Sequence, residues 1–128
     1  AVPPLVPAKG QSAPAPAELS PSLRQPFAVL TALSRLLAEE PGADYERAFV
    51  AATIRACEAY RVRAALDPGP GYYRPITPPR QKALTEFYEK TALAMYSGFA
   101  KRMSIYANQG DARRKRCAAL FAQAQAAP

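Results

Sequence analysis

Fourteen prolines divide this chain of 128 residues into stretches that can and cannot be regular. Pro3, Pro4, Pro7, Pro14, Pro16, Pro21 and Pro26 crowd the beginning, Pro41 stands beside Gly42, Pro68 and Pro70 alternate with glycine, and Pro75, Pro78 and Pro79 precede a long proline-free stretch. Proline fixes φ, lacks an amide N–H and pushes its preceding neighbour toward extended geometry, so each cluster ends or delays a helix. Between the clusters apolar residues recur every three or four positions, which is the spacing of one helical face. No stretch alternates convincingly enough for a strand, and no internal repeat is apparent. The expected fold is all-α: a small three- or four-helix bundle with a proline-rich N-terminal arm.

The first helix is expected from about Ser20 or Ser22, with Pro21 suited to an early helical position, and Val29, Leu30, Leu33, Leu36 and Leu37 forming its apolar stripe. Pro41 and Gly42 stop it; if Pro26 interrupts the first turn, the regular helix begins there instead. A second helix follows Asp44, a candidate N-cap, and runs to about Leu66 with Phe49, Val50, Thr53, Cys57, Tyr60 and Ala64 in line and Ile54 at the edge. The third and longest spans roughly residues 79–108, where Leu84, Tyr88, Met95, Phe99 and Met103 face the core, broadened by Phe87, Leu93, Tyr96, Ile105 and Tyr106. Gly98 inside it weakens the helix by about 1 kcal/mol relative to alanine unless another backbone packs closely there. Asn108, Gln109 and Gly110 end it, and Asp111 is placed to cap a fourth helix whose apolar face is Cys117, Leu120, Phe121 and Ala124.

The expected organisation is an extended or disordered arm over residues 1–19, then a single helical domain over 20–127 with a Pro/Gly/Tyr-rich connection at 67–79. Apolar residues make up 49% of the chain, but many are alanine, which favours helix while burying little area. The core is therefore modest, and a crosslink or a partner matters more to its stability.

Cys57 and Cys117, the chain's 2 cysteines, each fall on the apolar face of a different predicted helix. Packing those faces together predicts a Cys57–Cys117 disulfide, worth roughly 4 kcal/mol in the loop-entropy model. Two buried thiols, or pairing between molecules, are the other readings. The expected bond favours an exported, periplasmic or otherwise oxidising location, and a chain that starts at Ala1 is compatible with a removed targeting peptide. Cytoplasmic residence is the other option.

The formal charge of +7 is uneven, because residues 79–128 hold nine basic side chains against three acidic ones. Such a bias attracts an acidic protein, a nucleic acid or an anionic lipid surface. Its densest part is Arg113, Arg114, Lys115 and Arg116, preceded by Lys101 and Arg102, with Arg80 and Lys82 farther back. On a helix that run wraps around the axis, so its four charges cannot serve one narrow groove equally. No stretch of 18 apolar residues is present, which leaves no simple bilayer-spanning helix in these 128 residues.

Histidine is absent, which removes the Ser-His-Asp and Cys-His arrangements. Two cysteines without histidine make a poor zinc set, and the glycines match neither a Walker loop nor a dinucleotide fingerprint. The expected function is a noncatalytic accessory or assembly subunit that binds and stabilises a larger protein complex, with no cofactor and no metal. The candidate partner-binding residues are Pro3, Pro4 and Pro7 in the arm, Tyr72, Tyr73 and Arg74 in the connection, and Arg113, Arg114, Lys115 and Arg116. The arm is alternatively a plain disordered tail, and the connection's tyrosines alternatively cover exposed core. The alternative function is a small basic nucleic-acid-binding protein with Tyr96 or Tyr106 near the ligand; peripheral binding to an anionic membrane is a weaker reading. A helical enzyme is a third possibility, for which the sequence nominates no catalytic residue.

Overall fold

The computed structural model describes residues 18–64 and 78–126, and their regular structure is entirely helical. In order come α1 (Pro21–Leu37), α2 (Asp44–Ala64), α3 (Pro78–Ala107) and α4 (Ala112–Ala126), making a four-helix bundle. Pro3, Pro4, Pro7, Tyr72, Tyr73 and Arg74 lie outside the described residues.

Pro21 occupies the first position of α1, where a missing N–H costs nothing, and the Leu23 amide donates to the Ser20 carbonyl at 2.9 Å. The helix does not restart at Pro26. It continues through this residue, which forgoes a bond to the Ser22 carbonyl but buries its ring in the bundle. Asp44 is likewise the first residue of α2 rather than its cap: the Arg47 amide donates to the Ala43 carbonyl at 2.8 Å, and the Asp44 carboxylate pairs with the Arg47 guanidinium.

The same guanidinium closes the turn between α1 and α2. Arg47 Nη1 donates to the carbonyls of Leu37 at 2.9 Å and Glu40 at 2.7 Å, placing positive charge on the C-terminal end of α1. Gly42 bends this turn with φ +72°, and the space a Cβ would fill is occupied by the Arg113 side chain at 3.1 Å. Any other L-residue at this position meets both left-handed strain and a blocked site.

Cross-helix contacts fix the directions. Phe49 of α2 meets Phe99 of α3 at 5.4 Å, Glu46 meets Tyr106, and Cys57 packs with Ala92, so α2 and α3 run antiparallel. Phe121 of α4 packs edge-on against Phe99 at 5.6 Å, and Arg116 reaches Glu40 just beyond α1, so α4 returns along both. Sequential neighbours pack together and α4 closes the ring onto α1, an up-down-up-down arrangement.

At 30 and 15 residues, α3 and α4 extend for about 45 Å and about 22 Å. The fourth helix therefore lines only one end of the bundle. At the four-helix end Val29, Leu30, Leu33, Leu37, Val50, Phe99, Met103, Leu120 and Phe121 form the main cluster. At the three-helix end Leu23, Cys57 and Ala92 form a second cluster, with Leu19, Phe27, Tyr60 and Leu93 packed against it.

This division overturns the expected disulfide. Cys57 and Cys117 are both buried free thiols, the first in the three-helix cluster and the second in the four-helix one. Cys117 lies in the electrostatic neighbourhood of Glu46 and shares a cavity with it, whereas Cys57 is three turns farther along α2. That is about 16 Å of helix axis, far beyond disulfide reach. The correct facial assignment of each cysteine carried no information about its height along the bundle.

Phe87 and Ile105 depart from the core series as well, at 60% and 57% exposure. Phe87 rests edge-on against Tyr88 at 5.5 Å on a part of α3 that α4 does not reach, and Ile105 opens onto a surface cavity that it shares with Arg114 of α4. Gly98 has no neighbour among the described residues within 4 Å of where a Cβ would stand, so close packing between them does not offset its cost.

Burial raises both thiols above their ordinary range; for Cys57, desolvation followed by the nearby Glu58 charge brings the value to about 11. At pH 8 the native protein should therefore resist alkylation at both positions. Unfolding in denaturant without any reductant should add two alkyl groups by intact mass; a mass two hydrogens low that takes up no label would restore the bond.

Candidate functional site

The basic run does not act as one block. All four of its side chains are exposed, but they leave α4 in different directions. Arg113 lies against Gly42, Arg114 sits 5.4 Å from the Tyr106 ring, and Arg116 Nε contacts Glu40 Oε1 at 3.4 Å. Only Arg113 and Arg114 converge on a common cavity. Arg80 and Lys82, expected as distant companions, are exposed near the opposite end of α3 and take no part.

Asp111 makes this placement possible. Its Oδ1 accepts from the Arg113 amide at 2.9 Å and the Arg114 amide at 3.2 Å, which caps α4 as the sequence implied. These two backbone bonds, aided by the positive charges of the same residues, hold the Asp111 carboxyl below its ordinary range. The first turn of α4 contains no acidic residue, so this one cap stands against the crowding of positive charge at a positive helix end.

Arg102 comes from the last third of α3 and arrives beside Arg114 from the other side. Its guanidinium carbon lies 4.6 Å from the centroid of the Tyr45 ring, and its Nη1 donates to the Tyr106 hydroxyl at 3.4 Å. Tyr106 in turn donates to Glu46 Oε2 at 2.7 Å, and both residues are buried, each at 6% exposure. Burial chiefly raises the Tyr106 phenol, so it remains a neutral donor at neutral pH. The hydrogen bond to Tyr106 is the largest influence on Arg102 and raises it further, leaving a permanent cation.

A charged group and a buried acid are thus joined through one hydroxyl. Around that hydroxyl lie two open cavities, of about 350 Å³ and about 360 Å³, that share Arg102, Tyr106 and Arg114 in their walls. The first adds Lys101, Ile105 and Gln109; the second adds Gly42, Tyr45, Arg113 and the two acids Glu46 and Asp111. Arg114 Nη1 also donates to Gln109 Oε1 at 2.9 Å, which fixes its planar group over the cavity. Arg47 pairs with Asp44 and Arg116 with Glu40, whereas Arg102, Arg113 and Arg114 have no paired carboxylate among the described residues.

Sequence reasoning placed Arg113 and Arg114 in a site, noted Arg102 beside them and named Tyr106 for a ligand. It missed Gly42, Tyr45 and Glu46. Glu46 carried a readable signal, since it stands four, seven and eleven residues before Val50, Thr53 and Cys57 on the inner stripe of α2. A carboxylate on a buried stripe demands a donor. Tyr96, the other candidate for a ligand, is half-buried and packs 6.2 Å from Phe121 instead.

No group of three His, Cys, Asp or Glu side chains among the described residues is arranged to hold a metal ion, and no described helix is long and apolar enough to cross a membrane. Neither family models, curated proteins nor solved structures give a match to this chain.

Replacing Tyr106 by Phe strands a buried carboxylate and should lower stability by about 1–3 kcal/mol in urea unfolding. Adding Glu46→Met to that variant removes the stranded group and should recover part of the loss. For Asp111, a folded value below the unfolded one, near 3.8, means its contribution is complete above that pH and is lost as pH falls through the folded value. The Tm advantage of the wild type over Asp111→Ala should accordingly hold from pH 7 to about 5 and shrink as the pH falls below about 4.

Proposed function

We propose that the protein is a noncatalytic accessory module that binds and stabilises a larger protein complex, and that it docks an acidic segment of its partner on the surface shared by the start of α2, the end of α3 and the start of α4. One observation carries this reading: Arg102 and Arg114 are held on tyrosine faces, without paired carboxylates, beside the exposed side chain of Ile105. Arginine and tyrosine around an apolar centre are what protein interfaces concentrate. Tyr45, at 51% exposure, supplies further area for contact.

An acidic protein segment fits this end better than a nucleic-acid backbone. Glu39 and Glu40 occupy the adjoining turn, Asp44 opens α2, and Glu40 already neutralises part of Arg116. They break the continuous positive track along which a strand of phosphates would bind. A discrete cationic patch with an apolar neighbour can match a folded or helical acidic segment instead.

The test is co-purification from the native source at moderate salt, comparing wild type with a triple variant Arg102→Glu, Arg114→Glu and Ile105→Asp whose helicity is checked by circular dichroism. The partner recovered with wild type should fall at least about tenfold with the variant. Equal recovery would reject this surface, and tight, strongly salt-dependent binding of DNA or RNA would replace the protein partner with a nucleic acid.

A further inference from the structure

The cavity over Tyr106 has features that a general acidic surface contact does not require. Three guanidinium groups from two helices, Arg102, Arg113 and Arg114, line its 360 Å³, within the size range of small-ligand clefts. The acids in its wall are both committed to donors of the protein. Glu46 accepts from the Tyr106 hydroxyl, and Asp111 accepts from two amides of α4. The cavity thus sets three guanidinium groups against two carboxylates whose acceptor oxygens are already engaged by protein donors, and it keeps a net positive charge.

The arginines are also oriented. Arg102 lies over the ring of Tyr45 and Arg114 over that of Tyr106, with Arg114 tied to Gln109. Stacking engages the flat face of a guanidinium and leaves its N–H edge free to donate. Arg113 is held against Gly42, where the absence of a Cβ provides its place. Glu46 and Asp111 offset only part of the three positive charges gathered beside the positive end of a helix, and a further anion offsets the rest.

A carboxylate engages one guanidinium fork and brings a single charge. A phosphate monoester brings about −1.5 to −2 charges and three acceptor oxygens, which suits three convergent arginines. We infer that this cavity receives a phosphate monoester borne by a side chain of the partner protein, with Arg102, Arg113 and Arg114 as its donors and Tyr45 and Tyr106 as their supports. This rests on the reading of the same surface as the partner's docking site, and it adds that docking responds to phosphorylation.

The experiment titrates the full-length, ¹⁵N-labelled protein at constant ionic strength with three probes: a short Asp- and Ala-flanked phosphoserine peptide, its unphosphorylated twin and a single-stranded DNA decamer. The phosphopeptide should shift the Arg102 and Arg114 side-chain Nε–H signals saturably and bind at least about tenfold more tightly than its twin. Arg102→Gln with Arg114→Gln should remove that preference, while Lys115→Gln, a neighbouring charge outside the cavity, should keep it within about twofold. Thermal unfolding of each variant shows that it is folded. Equal binding of the two peptides overturns the phosphate inference and leaves the docking surface standing; binding of neither removes both. Tighter binding of the DNA than of the phosphopeptide, or a preference that survives in the double variant, also overturns it.

Discussion

The length of α4 governs the rest of the molecule. Fifteen residues cannot accompany the thirty of α3, so a ring of four helices exists at one end and three helices pack alone at the other. The aromatic contacts of Phe49, Phe99 and Phe121 gather where the fourth helix is present. Where it is absent, smaller groups such as Ala92 and Cys57 fill the interior, and Phe87 is left outside it. With so much alanine in the chain, the phenyl rings supply a large share of the area removed from water.

Polar groups tie the four-helix end together alongside its apolar core. Arg47 satisfies carbonyls at the end of α1, Asp111 satisfies amides at the start of α4, and Tyr106 satisfies the buried Glu46. Each acid or helix end is answered within the protein. What is left over is positive: three guanidinium groups, Arg102, Arg113 and Arg114, against the two carboxylates Glu46 and Asp111, with the arginines placed by rings and by a glycine rather than by ion pairs. That imbalance is why the proposed function and its phosphate extension are located here and not on the longer exposed face of α3.

The two thiols illustrate how a reasonable inference fails. Burial stabilises each as an unreactive neutral group, and neither needs the other. The case for an oxidising compartment had leaned on their pairing and loses that support. Stability at each end comes instead from packing around the sulfur atoms, in line with the tendency of free cysteine to behave as a small apolar side chain.

The number, order and approximate limits of the helices were legible in the sequence because they depend on local chemistry: proline and glycine at the breaks, apolar residues at helical spacing, and a capping aspartate at 111. The stripe of α1 and the inner residues of α4 could be read for the same reason. Tertiary structure decided everything that depends on height and neighbours. It separated Cys57 from Cys117, turned Phe87 and Ile105 outward, carried α1 through Pro26, and brought Tyr45 of α2 to Arg102 of α3. Periodicity reports the angle of a residue around its own helix; how far along its neighbour it lies is set by packing between helices, which no single stretch of sequence contains.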